Sequence, residues 1–184
     1  MNQATRPVRR VVVIDEGDRS RVLVDGPMPV IQTDPARPGF SSSLLWVTDR
    51  SPIPIKGVLE TIGRHPPLLV PPSGGSLCRV VVFPPDASFA GRVNAEAVQH
   101  YFEQTGSPQA NAARIGDSHP YMQQTRTLDF CFVIEGEITL ILDTEEVTLR
   151  AGEVVVQRGT RHAWSNRSQC PCKIVFSSHD ATRP

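Results

Sequence analysis

Two ionisable side chains stand out by type and setting: Asp129 inside the apolar run TLDFCFVIE, and His162 inside GTRHAWSN. A carboxylate and an imidazole that share one hollow can do general acid–base work, because the carboxylate fixes the ring's tautomer and raises its basicity. Gln123 and Thr125 precede Asp129 and add neutral hydrogen-bonding groups that would orient a polar ligand. Arg79 lies in the middle of LCRVVVF, where arginine is seldom placed. Two readings of it are open: an edge or snorkelling arginine, or one that reaches into the hollow to pair with Asp129 or to hold a ligand carboxylate bidentately. Trp164, two residues beyond His162, supplies the apolar surface that usually lines a small-ligand pocket. Such a set suits dehydration, enolisation or decarboxylation of a small hydroxylated, carbonyl or aromatic compound. An Asp–His pair that only joins two strands is the structural alternative.

Those residues meet only if the right elements carry them. Side chains two apart on a strand share a face, so Thr127, Asp129, Cys131 and Val133 oppose Leu128, Phe130, Phe132 and Ile134. The Asp129 face is assigned to the cavity and the Phe130–Phe132 face to the outside. His162, Trp164 and Asn166 share a face if Arg161, Ala163 and Ser165 point away. Strands are predicted at Arg9–Asp15, Arg21–Asp25, Leu44–Thr48, Leu77–Phe83, Thr127–Ile134, Glu137–Leu142, Glu146–Leu149, Glu153–Gln157, His162–Asn166 and Cys172–Ser177. So many short strands with frequent turn signals favour an antiparallel barrel or sandwich over a parallel sheet. The proline-rich stretch Gly26–Ser43 is predicted to be an extended arm, neither strand nor helix. One amphipathic helix is predicted over Val93–Thr105, capped by Asn94 and stopped by Gly106 and Pro108. It would pack on the barrel wall or, alternatively, form a lid.

A chain of 184 residues suits one domain: 1–76 as N-terminal strands and arm, 77–178 as barrel core, 179–184 as tail. With 19 basic and 19 acidic residues the net charge is zero, so no nucleic-acid or membrane-surface partner is expected. No apolar run approaches a membrane span, and the short VVVI near the N-terminus is no signal-peptide core. A cytoplasmic protein is the resulting expectation. Cys78, Cys131, Cys170 and Cys172 lack zinc-site spacing and are read as thiols outside any disulfide framework. His65 and His179 are read as surface residues. The arm and the outward Phe130 and Phe132 need cover, which a twofold homodimer would supply.

The stretches TRTLDFCFVIEGEITLIL and AGEVVVQRGTRHAWSN resemble the two motifs of the cupin β-barrels, in particular small single-domain cupins of bacteria and fungi, some of which sit in secondary-metabolite pathways. The resemblance implies an all-β double-stranded β-helix (jelly-roll) fold. Cupins commonly bind a divalent ion (iron, manganese, zinc or nickel) through two histidines, a glutamate and a third histidine. Aligned on Gly136, the glutamate position holds Asp129, the two histidine positions hold Gln123 and Thr125, and His162 matches the third histidine. His162, Asp129 and Gln123 are thus the implied metal set, in degenerate form. One imidazole and one carboxylate fall short of the 2-His-1-carboxylate triad of oxygen chemistry, and His119 and His100 lack motif spacing. Three readings stay open: a lyase- or isomerase-type enzyme using Asp129 and His162, a non-catalytic ligand-binding or sensing barrel, and a metal-dependent dioxygenase or decarboxylase.

Overall fold

A computed structural model describes residues 7–53, 55 and 67–182; the expectation for His65 falls outside them. The strands are β1 Arg9–Glu16, β2 Arg19–Pro27, β3 Val30–Thr33, β4 Ser41–Thr48, β5 Ser76–Phe83, β6 Thr127–Glu135, β7 Glu137–Ile141, β8 Glu146–Arg150, β9 Val154–Arg158, β10 Ala163–Ser165 and β11 Cys172–Asp180. β1 and β2 form a hairpin of their own, while β3-β4-β5-β11-β6-β9 make one antiparallel sheet and β10-β7-β8 another. The two sheets face each other as a jelly-roll barrel, the double-stranded β-helix expected from the sequence. Between them lies a core that includes Val81, Cys131, Val133, Ile138, Leu140, Trp164, Ile174 and Phe176.

Alternation on β6 is as the residue types require. Thr127, Asp129, Cys131 and Val133 are buried, while Phe130, Phe132 and Ile134 are 36–47% exposed. Phe130 and Phe132 stand across from Val156 and Val154 of the edge strand β9, both also exposed, and form the apolar strip that the expected dimer would cover. The helix α1, Ala95–Gln104, starts at Asn94, whose side chain accepts from the Ala97 N–H, and sets Val98, Tyr101 and Phe102 into the core. It is part of the wall.

Most element ends shift by one to three residues, β10 shortening to Ala163–Ser165, and two differences change the barrel sheet. The arm contributes β3, because Val30, Gln32 and Thr33 pair with Ser43, Ser42 and Ser41; prolines flank that stretch on both sides but leave the residues between them free to pair. β11 continues through His179 and Asp180, which pair with Leu128 and Thr127, so the barrel sheet runs from Val30 to Asp180.

The hinge between the sheets is Gly136, which joins β6 to β7 with φ of 82°. A Cβ there would sit 2.9 Å from the Pro171 carbonyl oxygen and 3.1 Å from the Cys172 Cα, so left-handed backbone and close approach both demand glycine. Gly136→Ala is therefore expected to lower unfolding free energy by about 1–3 kcal/mol. Urea denaturation checks this, and an unchanged midpoint would show that the turn tolerates a side chain.

Candidate functional site

Gln123 and His162 face each other as a short antiparallel bridge: the Gln123 N–H donates to the His162 carbonyl at 2.7 Å, and the His162 N–H to the Gln123 carbonyl at 2.9 Å. This backbone exchange sets their side chains side by side. His162 Nδ1 lies 2.9 Å from the Thr160 carbonyl, an acceptor only, so Nδ1 carries the hydrogen. Nε2 then offers its lone pair, which accepts from the Gln123 amide at 3.1 Å. The ring is 4% exposed and meets Trp164 edge-on at 6.1 Å. Burial pushes its pKa down; the Thr160 bond and the Asp129 charge oppose that shift, and the Arg79 charge adds to it. His162 is neutral, with one defined lone pair.

Asp129 is also buried on the inner face, but its partners differ from those expected. Among the described residues no hydrogen bond or ion pair joins it to His162 or to Arg79. Its Oδ2 accepts from the Thr127 hydroxyl at 2.6 Å, and Thr127 Oγ1 lies 2.7 Å from Thr125 Oγ1. Since Thr127 spends its hydrogen on the carboxylate, Thr125 is the donor to Thr127. The relay thus runs from Thr125, which lines an outer cleft of about 440 Å³, down to Asp129. The expectation that Asp129 orients His162 is corrected: a backbone carbonyl holds the ring, and the carboxylate reaches it only through space.

Arg79 is neither an edge residue nor a partner of Asp129. It stands on β5 beside Phe176 of β11, which in turn stands beside Cys131 of β6. Two strand spacings, roughly 10 Å, separate its backbone from β6. The side chain is 7% exposed; its guanidinium lies 5.4 Å from the Phe176 ring centre and makes no hydrogen bond or ion pair among the described residues. Arg79, Gln123 and Trp164 line one cavity of about 30 Å³, room for one or two waters. Arg37, Phe40, Tyr101 and Tyr121 line it too.

Several of these residues escape sequence reasoning. Arg37 is 4% exposed, its guanidinium 4.0, 4.6 and 3.6 Å from the ring centres of Phe40, Tyr101 and Tyr121. Asp34 accepts from Arg37 Nε and from the Tyr121 hydroxyl, both at 2.7 Å. Gln157 turns inward opposite Asp129 and accepts from the Cys131 thiol, whose pKa burial pushes up. The alternation of β9 marks Gln157 as inward, whereas no period in the proline-rich stretch marks Arg37. β10 is covered on both sides: Arg161 pairs with Asp117 and Asp143, and Ala163 packs with Met122 and Ile141. Asn166, fully buried, donates to the Phe83 and Cys170 carbonyls and accepts from Ser168, so it is a turn fastener.

The implied metal set does not fit a first-row divalent ion. His162 Nε2 engages an amide, Asp129 engages a hydroxyl, and Gln123 and Thr125 are neutral donors. Among the described residues no three His, Cys, Asp or Glu side chains gather as ligands would. No helix among them is long and apolar enough to cross a membrane.

Comparison with known proteins agrees with this architecture. Residues 114–178 match the cupin domain model (Cupin_2), and that segment is a cupin-2 type domain. The chain is 44% identical over 80 residues to phomopsin biosynthesis cluster protein C' of Diaporthe leptostromiformis, covering 40% of this chain and 42% of that one. It is 28% identical over 129 residues to the cupin-domain-containing oxidoreductase virC of Hypocrea virens, covering 68% and 50%. The matches thus span half or less of these relatives' own lengths. Among solved structures, a putative ethanolamine utilization protein Q from Salmonella typhimurium superposes with a TM-score of 0.45 at 9% identity, covering 96% of this chain and 98% of that one.

The buried histidines make stability depend on pH. Burial drives the His119 pKa down to about 4, against the pull of Asp86, and drives His162 down as well. A depressed histidine pKa means the unfolded chain binds more protons below about pH 6.5, so stability is full above that pH and is lost as pH falls. Between pH 6.5 and 4.5, unfolding free energy is expected to drop by up to about 1.4 kcal/mol per pH unit per histidine. Urea titrations across that range check it, with His119→Asn expected to flatten the slope. An equally steep slope in the variant would show that His119 is not the source.

Proposed function

We propose that this cupin domain binds a small, acceptor-rich organic molecule in the barrel interior and that His162 moves a proton on it, as an enolising, dehydrating or decarboxylating enzyme would. The observation that carries this reading is Arg79: a permanently charged guanidinium, 7% exposed, without a hydrogen-bond or ion-pair partner among the described residues and lining a cavity beside Gln123. Arginine cannot shed its charge in a protein, so a ligand oxygen is its natural complement. The biosynthesis-cluster naming of a relative fits work on a small metabolite.

The chemistry follows from the tautomer. Nε2 of neutral His162 is a base whose lone pair is capped by the Gln123 amide. A substrate carbonyl that displaces that amide sets its α-carbon proton against Nε2. The ring takes the proton, the C–H electron pair forms the C=C bond as the C=O π pair moves onto oxygen, and the enolate oxygen is met by N–H donors of the cavity wall. The Thr160 carbonyl, bonded to Nδ1, stabilises the imidazolium formed. Asp129 acts on this step through space alone. A binding barrel without turnover is the second reading, favoured by the lack of any bond between Asp129 and His162.

The test is exchange of α-protons of a panel of small keto acids in D₂O, followed by proton NMR. Parent protein is expected to speed exchange, and His162→Gln to cut the rate roughly 100-fold or more. Asp129→Asn is expected to keep it within about tenfold, because the carboxylate does not touch the ring. Exchange no faster than in buffer, for every compound that binds, would leave the binding barrel.

A further inference from the structure

The interior reading above says that something binds; the donors around the cavity say what end of it enters. Three residues that line this space each carry a buried N–H without an acceptor among the described residues: Arg79 Nε, Trp164 Nε1 and Arg37 Nη2. They come from three separate parts of the chain, β5, β10 and the loop between β3 and β4. Buried donors are nearly always satisfied, and three around one hole call for acceptor oxygens there. We infer that this cavity is the head-group subsite for a planar aryl or conjugated monocarboxylate, with Arg79 bearing its charge and Arg37 and Trp164 closing on its oxygens.

Size, charge and shape each narrow the class. Room for one or two waters matches the two oxygens of a carboxylate more closely than the four of a phosphate or sulfate. An aryl body is larger than this space, so its entry requires the lining side chains to move apart. Arg37 already holds Asp34, so it offers a hydrogen bond and no unmatched charge at contact range. Arg79 alone offers an unmatched charge, which calls for a single negative charge. The cation–ring contacts on Phe40, Tyr101 and Tyr121 lock the Arg37 plane, so its free N–H points in one fixed direction. Phe40, Phe83, Tyr101, Tyr121, Trp164 and Phe176 wall the space with edge-to-face ring pairs, a lining that suits a flat body. The assignment makes Arg37 a specificity residue, a role the motif residues do not give it.

This inference rests on the interior being a binding site, and the test reads binding without turnover. The full chain is titrated by calorimetry with benzoate and cinnamate, with benzamide and cinnamamide as neutral isosteres, and with phthalate and phenyl phosphate. The monocarboxylates are expected to bind roughly tenfold or more tighter than their amides, which gain no charged hydrogen bond, and tighter than phthalate and phenyl phosphate, whose second charge and extra oxygens the site does not match. Arg79→Met is expected to erase the acid-over-amide preference. Arg37→Lys, which keeps the charge and loses the fork, is expected to weaken the acids roughly tenfold and the amides less. Arg79→Lys, with circular dichroism on every variant, guards against misfolding; it is expected to retain part of the preference. Equal affinity for acid and amide, or tighter binding of phenyl phosphate, overturns the head-group assignment and leaves interior binding standing. No binding by any compound overturns both, whereas tight carboxylate binding without proton exchange overturns only the catalytic reading.

Discussion

A buried guanidinium with no hydrogen-bond or ion-pair partner among the described residues is the constraint on which the interior of this barrel turns. Taking such a charge out of water costs several kcal/mol, and arginine has no neutral form to retreat to. A folded chain carries that cost only where something else offsets it. Around Arg79 the fold supplies rings, a charge-paired second arginine, an amide and an indole N–H, but, among the described residues, no carboxylate within ion-pair range. The two buried acids nearest the question are both engaged: Asp34 by Arg37 and Tyr121, Asp129 by Thr127.

The two cupin motifs have divided their labour. In the first, the residues at the metal-ligand positions form two separate devices. Gln123 caps the lone pair of His162, while Thr125, Thr127 and Asp129 form a hydroxyl relay that starts at the outer cleft. In the second, His162 faces inward, and Asn166 fastens the turn that brings β11 back beside β5 and β6. A tautomer fixed by a backbone carbonyl needs no acidic partner, which explains how the imidazole stays oriented while Asp129 lies off the ring.

Much of the architecture was legible because it depends on local rules. The alternation TLDFCFVI assigns inward and outward faces without knowledge of the partner strands, and Gly136 announces a turn that only glycine can make. Asn94 before an apolar stripe marks a helix start. What stayed hidden depends on contacts far apart in sequence. Val30–Thr33 becomes a strand because Ser41–Ser43 lies alongside it, although its flanking prolines read as an arm. Arg37 becomes part of the site because Tyr101 and Tyr121 arrive from the helix and the loop before β6 to sandwich it. The spacing of Asp129 and His162 placed both inside one barrel; no sequence rule told that Thr127 and Thr160 would claim them first. The length of β11 was underestimated because His179 and Asp180 are polar, yet both continue its ladder.

The most direct measurement is the stability of the ligand-free protein with Arg79 replaced by methionine, a side chain of similar length without the charge. If the guanidinium is buried and unpaired, Arg79→Met gains stability, by several kcal/mol at most, in urea unfolding at neutral pH, because the folded state sheds an uncompensated desolvation cost. A loss of stability on that substitution would mean that Arg79 has a partner holding the native barrel together, and the anion site would go with it.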